Sequence, residues 1–311
     1  MRNPILYANL IILLGIQTYF PLFLSIFAHY CESKNKTQIN MKKLFLLMAA
    51  ILVCCSAWSF QRETIAIHSK AMDKNVMVRV VLPDGYHEMK DLSVVYLLHG
   101  HSGKFEEWDA WGKASDWVDR YGIMLVLPDG GYDSWYFDSP VDPTYKYETF
   151  VTKELIEYID SHYKTNPRRE SRAISGLSMG GHGALYLAFR NPDIYGAAGS
   201  TSGGVDIRPF PKNWGISKRL GTIEEHPENW EEHTVVNLVD RIKPGQLSLI
   251  IDCGYDDFFF GVNCDLHERL LKAGIKHDFY VREGVHNWDY WRNSTQYQLL
   301  YFSNYFKSQN K

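Results

Sequence analysis

The chain has 311 residues, with 33 Lys and Arg against 36 Asp and Glu and a net charge of −3. That balance argues against a nucleic-acid binder acting through bulk positive charge. At 45% hydrophobic and 22% charged it is globular in composition, and five Cys are too few for a disulfide-stapled scaffold.

Two apolar stretches open the chain. The first, Pro4 to Phe27, is long enough to span a bilayer. The second starts at Met41 (MKKLFLLMAAILVCCSAWS) and has the parts of a signal peptide: basic Lys42 and Lys43, an apolar run from Leu44 to Val53, then small residues. Cleavage is expected near Ala57 or Ser59. Translation is expected to begin at Met41, residues 1–40 being misread upstream sequence; the alternative is a membrane anchor. Val53 and Cys54, preceding Cys54 and Cys55, do not suit a lipoprotein motif. The expected location is periplasmic or secreted. Beyond residue 59 only Cys253 and Cys264 remain; they either pair or stand as separate buried thiols, and the second is the expectation.

The remaining sequence alternates strands and helices. Arg62 to Leu82 reads as two strands about a turn at Met72–Asn75. Asp91 to Leu98 is a nearly continuous apolar run, the pattern of a parallel strand covered on both faces. Trp108 to Tyr121 has helical spacing, and Ile123 to Leu127 is another buried strand. Tyr147 to Tyr163 is an amphipathic helix with Phe150, Leu155, Ile156 and Ile159 near one face. Then follow strand Arg172–Leu177, helix Gly180–Phe189, strands Tyr195–Thr201 and Leu247–Ile251, and helix Asn263–Ala273, stopped by Gly274. Strand Phe279–Val281 and helix Trp288–Lys307 close the chain. The alternation predicts an α/β fold, a mostly parallel sheet with helices on both faces. Residues 203–243, rich in Pro, Trp and charge, break the rhythm and read as an insertion over one end of the sheet, in a single domain spanning 60–311.

The sharpest chemical signal is Gly176-Leu177-Ser178-Met179-Gly180, between a strand and a helix. A Ser on so tight a turn needs neighbours without side chains two residues away, and the turn lifts its hydroxyl above the sheet at a helix N-terminus. Ser178 is thus the expected nucleophile. A Ser hydroxyl needs a base, and His286 follows the last strand, at the carboxyl edge where ligand sites of open α/β sheets lie. A carboxylate must orient the imidazole. Asp252 reads as strand; Asp256 and Asp257 lie on the loop beyond it, with Asp257 favoured and Asp256 the alternative. The expected oxyanion donors are the N–H groups of Met179 and of His101, in the glycine-bearing loop His99–Gly103. The side chains of His99, His101 and His182 are expected to be structural. Trp108, Trp135, Tyr136 and Trp288 neighbour the site and could stack on a substrate ring. No metal-ligand spacing or phosphate loop is present, so no cofactor is implied. Asn293-Ser294-Thr295 is a formal glycosylation triplet inside a predicted helix.

On these residues the chain resembles the esterase D family of α/β-hydrolases, which includes tributyrin and feruloyl esterases, S-formylglutathione hydrolases and, more distantly, mycolyltransferases. The resemblance runs from Arg62 to Phe306. It rests on VRVVLPDGY (Val78–Tyr86), VVYLLHGHSG (Val94–Gly103), LPDGGYDSWYFD (Leu127–Asp138), GLSMGGHGAL (Gly176–Leu185), CGYDDFF (Cys253–Phe259) and HNWDYW (His286–Trp291). It implies an α/β-hydrolase fold, with Ser178, Asp257 and His286 matching the family's triad and His101 its oxyanion loop. Export argues against S-formylglutathione hydrolysis, which belongs with cytosolic glutathione. The expected function is a serine carboxylesterase acting through an acyl-enzyme on small or polysaccharide-borne acetyl or feruloyl esters. An acyltransferase with the same triad, a silent carbohydrate-binding relative and a peptidase are the alternatives. Nucleic acid is not an expected partner, and membrane is expected only through an uncleaved N-terminal segment.

Overall fold

The computed structural model describes residues 61–309. The expected signal peptide, its cleavage sites and the segment before Met41 lie outside them. Among the described residues no helix is long and apolar enough to cross a membrane.

Eight strands form one sheet: β1 (Gln61–Ser69), β2 (Lys74–Leu82), β3 (Ser93–Leu98), β4 (Ile123–Pro128), β5 (Arg172–Gly176), β6 (Ala197–Thr201), β7 (Ser248–Gly254) and β8 (Asp278–Arg282). Their order is β1-β2-β4-β3-β5-β6-β7-β8. Only β2 runs against its neighbours; β4, β3, β5, β6, β7 and β8 pair in parallel. The apolar run at β3 has the cause expected of it. Val94, Tyr96 and Leu98 enter the core on one face and Val95 and Leu97 the core on the other, all buried. Strand residues alternate sides, so a strand covered twice must be apolar throughout.

Helices cover both faces. One face takes α1 (Leu155–His162), α2 (Met179–Arg190), α3 (Ile216–Leu220), α4 (Pro227–Glu232) and α5 (Phe260–Lys272). The other takes α6 (Trp288–Gln309) and the short turns near Trp108 and Val118. The helix expected over 147–163 contains a π-helical stretch, Phe150–Glu154, just before α1. The single helix expected over 108–121 does not form. Instead a break in which Lys113 has φ 55° separates Glu107–Ala110 from a 3-10 turn at Ala114–Trp117, which runs directly into Val118–Tyr121. A Cβ on Gly112 would stand 2.7 Å from the Trp108 carbonyl oxygen, so this break is built around a glycine that no side chain could replace.

Residues 203–243 share the core. Val205, Ile207, Ile216, Leu220 and Trp230 are fully buried with the sheet's hydrophobic face. Arg219 ties the segment down through Asp133, at 3.0 Å, and Asp142. Cys253 and Cys264 are free thiols, and burial pushes the Cys253 thiol above its usual range.

Candidate active site

The chain adds β4 on one side of β3 and then crosses to add β5 on the other. That reversal opens a crevice beyond the carboxyl ends of β3 and β5, where an open α/β sheet binds its ligands. The loop after β3 carries His99–Gly103, and the turn after β5 carries Ser178.

Ser178 has φ 55° and ψ −118° and caps α2. Such a backbone costs about 1–3 kcal/mol for a residue with a side chain, and the surroundings enforce it. Its N–H donates to the Thr201 carbonyl at 3.1 Å, and its own carbonyl accepts from His182 N–H at 3.0 Å. The flanking glycines are obligatory. A Cβ on Gly176 would lie 2.4 Å from the Gly180 backbone, and one on Gly180 would lie 2.2 Å from the Leu98 carbonyl oxygen. The crowding inferred from the G-x-S-x-G spacing is thus backbone against backbone.

His286 comes from the loop between β8 and α6. Its Nε2 is 2.9 Å from Ser178 Oγ and its Nδ1 is 2.8 Å from Asp257 Oδ2. A carboxylate only accepts, so Nδ1 carries the proton and Nε2 is left to accept from the hydroxyl. Asp257 is buried, and its Oδ1 accepts from the Phe259 N–H at 2.8 Å. Asp256 is exposed, so the loop turns the second carboxylate inward and the first outward. The imidazole is walled by Phe258, at 4.3 Å between centroids, and by Trp291, edge-on at 4.9 Å.

The remaining histidines fall as their surroundings dictate. His99 is fully buried; its Nδ1 donates to the Gly100 carbonyl at 2.8 Å and its Nε2 accepts from Gly130 N–H at 2.7 Å. It joins the loop after β3 to the loop after β4. His182 is fully buried among Trp135, Phe137 and Tyr186, and its Nδ1 donates to the Gly204 carbonyl. Burial holds it down to about 3, hence neutral. His101 is half-buried against the edge of Tyr132, and burial lowers its imidazole too.

A cleft of about 270 Å³ opens over Ser178 and His286, walled by the loop Gly100–Gly103, Glu107, Leu177, Trp214, Phe258, Trp288 and Trp291. The loop passes close enough that a Cβ on Gly100 would lie 3.4 Å from Ser178 Cβ. The backbone N–H groups of His101 and Met179 have no hydrogen-bond acceptor among the described residues.

Of the four aromatics expected around a substrate, only Trp288 reaches the cleft. Trp108 is buried behind it, edge-on at 5.7 Å, with its indole N–H on the Leu98 carbonyl. Trp135 and Tyr136 are buried beneath the site. Tyr136 fills the space left by Gly130 and Gly183, where an added Cβ would meet its ring at 2.4 Å, and its hydroxyl donates to the His99 carbonyl at 3.1 Å. Trp135 donates its indole N–H to the Trp214 carbonyl at 3.2 Å. Their place in sequence is next to the site, but both have positive φ, 52° and 62°, which folds their rings into the interior. Sequence reasoning missed Trp214, Phe258, Trp291 and Glu107. Trp214 and Phe258 stack at 5.5 Å; the first lies in the segment without a recognised pattern, and the second was available in CGYDDFF.

Among the described residues no cluster of His, Cys, Asp or Glu could hold a metal ion. The arrangement is that of a serine hydrolase: a hydroxyl on a strained elbow, a base and a carboxylate in one hydrogen-bonded line, on an α/β-hydrolase sheet. Comparison with known proteins agrees. A family model named Esterase, described as "Putative esterase", matches residues 69–301. An acetyl esterase of Caldicellulosiruptor saccharolyticus is 27% identical over 73% of this chain and 92% of its own. The diacylglycerol acyltransferase/mycolyltransferase Ag85B of Mycobacterium leprae (strain TN) is 26% identical over 74% of this chain and 79% of its own. A solved ferulic acid esterase superposes with TM-score 0.68 at 28% identity, covering 80% of this chain and 100% of that one. This chain belongs to the esterase family and is an ester-hydrolysing enzyme of the α/β-hydrolase fold.

Proposed function

We propose that the protein is a serine carboxylesterase acting through an acyl-enzyme, with Ser178 as nucleophile, His286 as general base and acid, and Asp257 as the carboxylate that orients the imidazole. The observation that carries this reading is the Asp257–His286–Ser178 line, with links of 2.8 and 2.9 Å. As Ser178 Oγ attacks the ester carbonyl, its proton passes to His286 Nε2. The carbonyl oxygen takes up the negative charge and is met by the N–H groups of Met179 and His101; losing one such donor costs roughly 3 kcal/mol of transition-state stabilisation. His286 then returns the proton to the leaving alkoxide, and a water activated by the same nitrogen releases the acid.

The substrates we infer are acetyl or feruloyl esters on carbohydrate. Similarity to an acetyl esterase and a ferulic acid esterase supports this, as do the rings of Trp288, Trp214 and Phe258 in the cleft wall, which suit a sugar or phenolic face. Acyl transfer to a hydroxyl acceptor is the second reading, favoured by the similarity to a mycolyltransferase. We further propose export from the cytoplasm, on the signal-like sequence after Met41.

Ser178→Ala is expected to abolish release of acid from acetyl, butyryl and feruloyl esters, by a factor above about 10³. Surviving activity contradicts the mechanism. Product analysis in excess alcohol or sugar separates transfer from hydrolysis. Sequencing the native N-terminus tests the start at Met41 and cleavage near Ala57 or Ser59; a peptide spanning Arg2 to Lys34 contradicts that start.

A further inference from the structure

Apart from the imidazoles of His286 and His101, the second of which burial holds toward its neutral form, the cleft wall contains one ionisable side chain, Glu107. It starts the short helical turn Glu107–Ala110 after the loop that follows β3. Its Oε2 rests on that loop, since a Cβ on Gly103 would stand 2.5 Å from it. Among the described residues it forms no ion pair with Lys or Arg; it accepts a hydrogen bond from the Lys104 backbone and feels the charges of His99 and Lys104 only at longer range. Two carboxylate oxygens offer about four acceptor sites, so most of its capacity is uncommitted. No Lys or Arg lines the cleft. The nearby cations Lys104 and Lys218 are exposed, and Lys218 leans toward Asp133 at 4.0 Å. Half-burial pushes the Glu107 carboxyl above the usual carboxylate range, outweighing the opposing pull of His99 and Lys104.

An acceptor-rich carboxylate facing apolar rings, with no cation between, has a clear chemical counterpart. Neutral polyhydroxylated esters present apolar C–H faces to rings and hydroxyl edges to acceptors. Anionic esters meet only repulsion there. We propose that Glu107 is a specificity-determining residue that accepts a hydrogen bond from a hydroxyl of a neutral, polyhydroxylated ester and turns anionic esters away. This rests on the serine-esterase reading of the same cleft and adds to it the residue that selects the substrate.

The test uses ratios of kcat/KM within each variant, so that a general loss of activity cancels. One pair is glycerol monoacetate against propyl acetate, the same skeleton with and without hydroxyls. The other is 4-nitrophenyl hemisuccinate against 4-nitrophenyl acetate, with and without a carboxylate, at low ionic strength where charge effects are least screened. In Glu107→Leu the preference for glycerol monoacetate is expected to fall about tenfold, the order of a hydrogen bond to a charged group. In Glu107→Gln an acceptor remains but the charge is gone, so the hemisuccinate ratio should rise about tenfold while much of the hydroxyl preference survives. Circular dichroism checks the fold, and if the Leu variant does not fold, the Gln variant alone decides through the hemisuccinate ratio. Both ratios unchanged from wild type overturn the proposal. Should wild type cleave none of the four esters, or Ser178→Ala cleave them as well as wild type, it is the esterase reading that fails.

Discussion

Replacing Asp257 by Asn changes few atoms and should nearly silence the enzyme. The side chain is fully buried, with one oxygen held by the Phe259 N–H and the other by His286 Nδ1. In the Asn variant the amide oxygen keeps the Phe259 bond, which leaves the NH2 group facing Nδ1. An NH2 group only donates, so Nδ1 must become the acceptor and the proton moves to Nε2. Nε2 then points a hydrogen at Ser178 Oγ and can no longer remove one. The charge is lost as well. A carboxylate whose charge centre lies about 4 Å from the imidazolium formed in the transition state stabilises it by about 4 kcal/mol at an effective dielectric constant of about 20, close to a thousandfold in rate. Wrong tautomer and lost charge together predict a fall in kcat of about 10³–10⁴, with KM little changed because the acid does not touch substrate. Steady-state hydrolysis of 4-nitrophenyl acetate at pH 7.5 measures it, with Asp256→Asn as the control. Asp256 is exposed, and its variant should stay within about twofold, as surface substitutions do. A loss below tenfold in Asp257→Asn, or equal losses in the two variants, would refute the assignment.

Gly180→Ala tests the elbow itself. The added Cβ falls 2.2 Å from the oxygen and 2.5 Å from the carbon of the Leu98 carbonyl, backbone atoms in the sheet that cannot step aside, so stability should drop by at least about 3 kcal/mol in urea denaturation; an unchanged midpoint contradicts the packing argument. His182 gives a pH test. Its imidazole is held neutral down to about 3 by burial and takes up a proton near 6.5 once unfolded, so the unfolded chain binds more protons between those values. Its contribution is complete above pH 6.5 and is lost as pH falls toward 3. Between pH 6 and 5 wild type should lose about 1 kcal/mol from this group, and His182→Asn, which keeps a donor for the Gly204 carbonyl, should flatten the curve by that amount. Equal slopes would show that His182 is not neutral in the fold.

What could be read from sequence follows from where the constraints are local. The strand–turn–helix around Ser178 was legible because Gly176, Gly180 and the apolar run before them answer to clashes a few residues apart. The parallel strands were legible because Val94 to Leu98 must satisfy two cores at once. Sequence favoured Asp257 over Asp256 but left the second open, since it is the turn after β7 that decides which carboxylate faces inward. The aromatics show the same divide. Trp135 and Tyr136 stand next to the site in sequence, yet positive φ angles carry them beneath it, where Tyr136 fills a space that Gly130 and Gly183 vacate. Trp214 lies in a segment whose pattern betrayed nothing, and reaches the cleft because Arg219 and buried apolar residues fix the segment against the sheet. The break at Gly112 was hidden for a related reason: apolar spacing reports a face, and three short turns can present the same face as one helix.

The strand β7 and the loop that follows it carry two buried acids with opposite duties. Asp252 is fully buried and accepts from Thr201 Oγ1 at 2.6 Å, Ser294 Oγ at 2.6 Å and Gln298 Nε2 at 2.7 Å. It thereby binds β6 and α6 to β7, and it commits the Ser294 hydroxyl of the formal glycosylation triplet to the interior. Its acceptor sites are filled from within the protein, so it has nothing to offer a substrate. Asp257 spends one oxygen on the backbone and gives the other to His286, whose far nitrogen faces the cleft. The two acids are nonetheless coupled in purpose. The helix that Asp252 anchors is the one that brings Trp288 and Trp291 beside His286, so the ring that Asp257 orients through a hydrogen bond is also confined by aromatic walls that Asp252 holds in place. A buried carboxylate satisfied by three neutral donors, with the Arg282 guanidinium 4.0 Å away, is costly to form and hard to disturb, which is what a site needs behind a Ser whose backbone is strained: the strain at Ser178 persists only while the strands and helix around it cannot relax.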